Sequence, residues 1–91
     1  MADLVQSPAP QVAPDIIWRI VDGNAVIVSP IDGEVHVLSE TGTAIWEMVA
    51  DKNNVSDIEG YLVDHYIVSQ AQACQDVESF INNLKALGLI T

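Results

Sequence analysis

The sequence predicts an α+β domain: a three-stranded antiparallel β-meander followed by three helices, winged-helix-like in outline. Three observations carry that expectation. Between residues 16 and 38, short β-branched and aromatic runs are separated by breaks rich in Asp, Gly and Pro. From Ser39 onwards the period changes, and Ala44, Ile45, Met48 and Val49 recur at helical spacing. Further on, Ser56-Asp57-Ile58-Glu59 and Ser69-Gln70-Ala71-Gln72 both fit a capping box, so two more helices are expected before the chain ends.

In chain order, residues 1–14 hold three of the four prolines among Ser, Gln and Ala. Such a composition cannot bury enough apolar surface to offset its ordering entropy, so a disordered tail is expected there and the domain spans 15–91. Residues 16–21, Ile-Ile-Trp-Arg-Ile-Val, read as a first strand, which Asp22-Gly23-Asn24 breaks with residues that tolerate positive φ. Ala25-Val26-Ile27-Val28 is almost wholly apolar, as suits a central strand. A turn over residues 29–33 leads to a third strand over 34–38, and pairing in sequence order leaves that strand at an edge.

Ser39 stands where its hydroxyl can cap the first helix, with Glu40 near the positive end of the helix dipole. That helix should fade near Asp51. The second is expected over about residues 57–66, with Gly60 inside it marking close contact with a neighbouring backbone. The third carries an apolar stripe of Ala73, Val77, Phe80, Ile81, Leu84 and Leu87, and Gly88 stops it.

Composition narrows the function. A body of 77 residues (91 − 14) buries only about 60–65% of its unfolded surface, which leaves little room for a deep catalytic cleft. Thirteen acidic against three basic residues give a formal net charge of −10, which repels nucleic acid and anionic lipid. A winged-helix reader of DNA is excluded on the same ground, because the third helix offers Asp76 and Glu78 against Lys85 alone. Cys74 is the single cysteine, so no internal disulfide is expected, and no signal-peptide or membrane-spanning run is visible. A soluble, cytoplasmic protein is expected.

The residues that could carry chemistry are sparse. His36, His65 and Cys74 share no metal-binding spacing, so neither metal nor other cofactor is expected. Cys74 has no basic neighbour to activate its thiol, and the carboxylates, Asp32 and Glu34 among them, read as turn and surface groups. Trp18 and Trp46, without Lys or Arg around them, read as core aromatics rather than a stacking platform for bases. The protein is expected not to be an enzyme.

One stretch goes further. Leu38-Ser39-Glu40-Thr41-Gly42-Thr43-Ala44-Ile45-Trp46, then Asp76-Val77 with Phe80, then Leu87-Gly88-Leu89-Ile90, together resemble the coenzyme PQQ synthesis protein D (PqqD) family. The resemblance covers roughly residues 15–91. It implies a small non-catalytic module that binds the leader segment of a ribosomally made precursor peptide and presents it to a modifying enzyme, often a radical SAM enzyme. An edge strand suits that role, since its unpaired backbone groups can accept an extended peptide by β-augmentation. By the same resemblance the peptide-binding role falls to Val35, His36, Val37 and Leu38 on the third strand. On the third helix it falls to Cys74, Val77, Glu78 and Ile81. The alternative is a structural or assembly subunit, a homodimer for example, in which the same surfaces meet a folded partner.

Overall fold

The computed structural model describes residues 9–29 and 32–91. Its elements run in the expected order: β1 (Ile17–Val21), β2 (Asn24–Val28), β3 (Val35–Val37), α1 (Glu40–Ala50), α2 (Val55–His65) and α3 (Gln70–Ala86). The sheet order is β1-β2-β3, antiparallel throughout, so the apolar β2 is central and β3 is an outer strand as expected.

Local chemistry explains the joints. Asp22 and Gly23 both take positive φ, 53° and 84°, which closes β1 onto β2 through a two-residue turn whose twist matches that of the strands. In the turn before β3, Asp32 Oδ1 accepts the Glu34 N–H at 3.0 Å. This bond, more than the favourable field of nearby His36, holds the exposed Asp32 carboxyl below its ordinary pKa. Ser39 caps α1 by accepting the Gly42 N–H at 3.1 Å, and Ser69 caps α3 through the Gln72 N–H, also at 3.1 Å. The Gln72 side chain does not reach back to complete a capping box; its amide binds Asp76 instead. Gly88, at φ 77°, ends α3 as expected.

Trp46, Ile45 and Val49 of α1 pack on Ala25 and Ile27 of β2, and Ile58, Leu62, Ala73, Val77, Ile81 and Leu84 complete the core from α2 and α3. Trp18 meets Trp46 edge-to-face, with ring centroids 5.9 Å apart, so both aromatics stack on each other rather than on the surface. The buried Thr43 hydroxyl accepts the Ala25 N–H at 2.8 Å, pinning the first turn of α1 to the central strand. Among the described residues no helix is long and apolar enough to cross a membrane.

Four expectations are corrected. First, α2 starts at Val55, capped by Asn54, whose side chain accepts the Asp57 N–H at 2.8 Å. The Ser56 capping box does not form because Ser56 already lies within the first turn of α2. Second, a Cβ on Gly60 would meet nothing within 4 Å, so no close approach explains this glycine. The close approach is at Gly42, where a Cβ would lie 3.2 Å from the Phe80 ring. Third, Leu87 is exposed and Phe80 only half-buried, while Leu89 and Ile90 are buried beyond the helix end. Fourth, the expected tail is not free along all of residues 1–14. Residues 1–8 lie outside the described ones, but Val12 bridges Ile90, and bonds run from Ala13 N–H to the Leu89 carbonyl (3.0 Å) and from Thr91 N–H to the Gln11 carbonyl (2.8 Å). The apolar chain end recruits this segment: burying Ile90 leaves its neighbours' backbone groups in need of partners.

Candidate peptide-binding site

Backbone parity decides which groups of the outer strand are left without a partner on β2. The Ser29 N–H donates to the Glu34 carbonyl and the Leu38 N–H to the Ala25 carbonyl, both at 2.9 Å, with His36 opposite Ile27 between them. In an antiparallel ladder, residues that bond to the neighbour alternate with residues that point away. Glu34, His36 and Leu38 therefore face β2 with their backbone groups, and Val35 and Val37 direct their N–H and C=O to the open side.

Side chains alternate as well. His36 lies opposite the fully buried Ile27 and so sits on the helix side of the sheet, half-buried, with Nε2 3.9 Å from Glu34 Oε1. Val35 and Val37 stand on the outer face, 59% and 65% exposed. Leu38, half-buried against the core, accepts from the Asn24 side-chain amide at 2.8 Å and hands the chain to the α1 cap.

The helix half of the expected site separates into two faces. Val77 is fully buried and serves the core. Cys74, Glu78 and Ile81 turn towards α2: Glu59 stands beside the Cys74 thiol, and Glu78 and Ile81 line a cavity of about 380 Å³ with Val55, Glu59, Lys85 and Pro10. The hydrogen bond and charge of Glu59, with the charge of Glu78 adding to them, push the Cys74 thiol pKa up. Phe80 lies on another face of α3, and its ring packs at Gly42 in the first turn of α1, the helix that follows β3. Asp76 lies one helical turn away on that face. Sequence reading had placed Phe80 in the core stripe; Gly42 at the start of α1 was the signal of a ring packed against the backbone. His65 is exposed and stacked on Tyr61 at 4.0 Å, apart from the strand.

Fold and edge together define a class: a small α+β domain of three helices whose antiparallel sheet leaves its third strand as an outer strand. The chain belongs to the family of coenzyme PQQ synthesis protein D (PqqD), whose family model matches residues 24–90, from the start of β2 to the buried Ile90. Two solved structures share the fold. One is TbiB1 in complex with the TbiA(beta) leader peptide, at a TM-score of 0.84 and 18% identity, covering 88% of this chain and 93% of that one. The other is lasso peptide synthetase B1 complexed with the leader peptide, at a TM-score of 0.84 and 23% identity, covering 90% and 96%. No curated protein matches the chain.

Proposed function

We propose that this domain binds the leader segment of a ribosomally made precursor peptide as an added antiparallel strand on β3, and presents it to a modifying enzyme. The observation that carries the reading is the outward-facing backbone of Val35 and Val37 on an outer strand. Such an edge offers donors and acceptors at the spacing an extended peptide needs. Both structural neighbours were solved with leader peptides, which supports the same ligand class here. Alternate side chains of the added strand would reach either towards Phe80 and His36 or onto the outer face beside Val35 and Val37.

The domain does no chemistry of its own in this reading. Its cysteine carries a raised thiol pKa, opposite to what a nucleophile needs, and His36, His65 and Cys74 stand on separate elements with separate partners. The free thiol suits the reducing cytoplasm, where precursor peptides are made. With a net charge of −10, the protein would steer in leaders with basic residues and repel acidic ones unless apolar anchors dominate. The test is titration of the full chain into the fluorescein-labelled leader of the precursor peptide that its host makes. Saturable one-to-one binding that Val37→Pro weakens is expected; no saturable binding at any attainable protein concentration would refute the reading.

A further inference from the structure

The face of the sheet turned away from the helices is aliphatic across all three strands. The register aligns two rows on it, Ile17–Val28–Val35 and Arg19–Val26–Val37. Ile17, Val35 and Val37 are each more than half exposed, and Val26 and Val28 are only partly covered. A hydrophilic surface would be ordinary in a chain this acidic, yet these six positions hold five aliphatic side chains, one cation and no carboxylate. Contiguous apolar patches of this kind mark interaction sites in soluble proteins.

The charge pattern selects the occupant. In an isologous dimer the same patch lies on both sides, so two copies joined face to face would enclose two Arg19 guanidinium groups with no counter-charge from either face. Repulsion between two bodies of net charge −10 opposes that pairing further. A partner that offers an aliphatic strip, a carboxylate opposite Arg19 and a basic surround satisfies every group. We infer that the outer sheet face is the docking surface for the modifying enzyme, through an aliphatic patch bearing one carboxylate. This inference rests on the proposed leader-binding role. A leader strand added to β3 would extend the same face beside Val35 and Val37, so the enzyme would touch domain and leader at once, and each would strengthen the binding of the other.

Ile17→Lys and Arg19→Glu test this, because both lie on β1, two strands from the leader edge, and both side chains are exposed. The full-length variants are titrated against the purified enzyme that modifies the precursor, and separately against the labelled leader, with circular dichroism confirming the fold and sedimentation velocity reporting the oligomer. Expected are at least tenfold weaker enzyme binding for each variant, leader affinity within twofold of wild type, and a wild-type monomer. Unchanged enzyme affinity in both folded variants, or absence of enzyme binding by the wild type, overturns the inference. So does a wild-type dimer that Ile17→Lys dissociates, which would make a second copy the occupant. Failure of the wild type to bind leader would refute the leader-binding role, and is read separately from the enzyme titration.

Discussion

Proline along β3 should have opposite consequences at adjacent residues, and the ladder fixes which is which. Proline removes one backbone N–H. At His36 that N–H faces the carbonyl of Ile27, whose side chain is fully buried. His36→Pro thus loses a net hydrogen bond, about 0.5–1.5 kcal/mol, and strands a carbonyl, about 1–3 kcal/mol, for a sum of about 1.5–4.5 kcal/mol. Against a total stability of about 5–15 kcal/mol, this lowers the melting temperature by on the order of 10–30 °C in a domain of this size. At Val37 the N–H faces outwards and the side chain is 65% exposed, so Val37→Pro should cost the fold about 1 kcal/mol or less. It instead removes a donor to the incoming leader and sets a ring against the leader backbone, weakening binding at least tenfold, the equivalent of about 1.4 kcal/mol. Thermal melting by circular dichroism and leader titration by anisotropy read the two effects separately. Equal destabilisation at both parities would place β3 inside a sheet, and unchanged leader affinity in a folded Val37→Pro protein would refute docking on this edge.

Three further outcomes follow from burial and electrostatics. Trp46→Ala should cost about 3–5 kcal/mol, enough to unfold much of the protein, whereas Phe80→Ala, half-buried, should cost about 1–2 kcal/mol in denaturant titration while weakening leader binding. Gly60→Ala should stabilise by about 1 kcal/mol, since a methyl there meets nothing and glycine is a poor helix former; destabilisation would reveal a neighbour that the fold does not show. Because the Cys74 pKa is raised, less thiolate exists at any given pH, so iodoacetamide should modify Cys74 more slowly at pH 8 than a cysteine in a short peptide; Glu59→Ala, which removes both the hydrogen bond and the charge of Glu59, should speed the reaction.

What sequence could reveal here divides along the range of the interactions. Ser39, Ser69 and Gly88 act on groups within a few residues, so the start of α1 and both ends of α3 were legible. The central place of β2 was legible too, because Val26 and Val28, partly covered by the strands on either side, are aliphatic like the buried Ala25 and Ile27 and leave a nearly unbroken apolar run. The start of α2 is misplaced from sequence because the Ser56-x-x-Glu59 pattern reads as a cap, whereas the side chain of Asn54, two residues earlier, accepts the Asp57 N–H. Cys74, Glu78 and Ile81 could be placed together on one helical face, but whether that face meets α2 or β3 depends on tertiary packing. The pairing of Val12 with Ile90 joins opposite ends of the chain and leaves no local pattern. Strand parity depends on register, which only the bonds at Ser29 and Leu38 determine.

Amide hydrogen exchange along β3, with and without saturating leader peptide, tests the edge-strand account most directly. The Val35 and Val37 amides, open to solvent in the free protein, should become protected when the leader pairs with them, while the His36 amide, already in the ladder with β2, should change little. Unaltered exchange at Val35 and Val37 in the presence of bound leader would contradict strand addition at this edge.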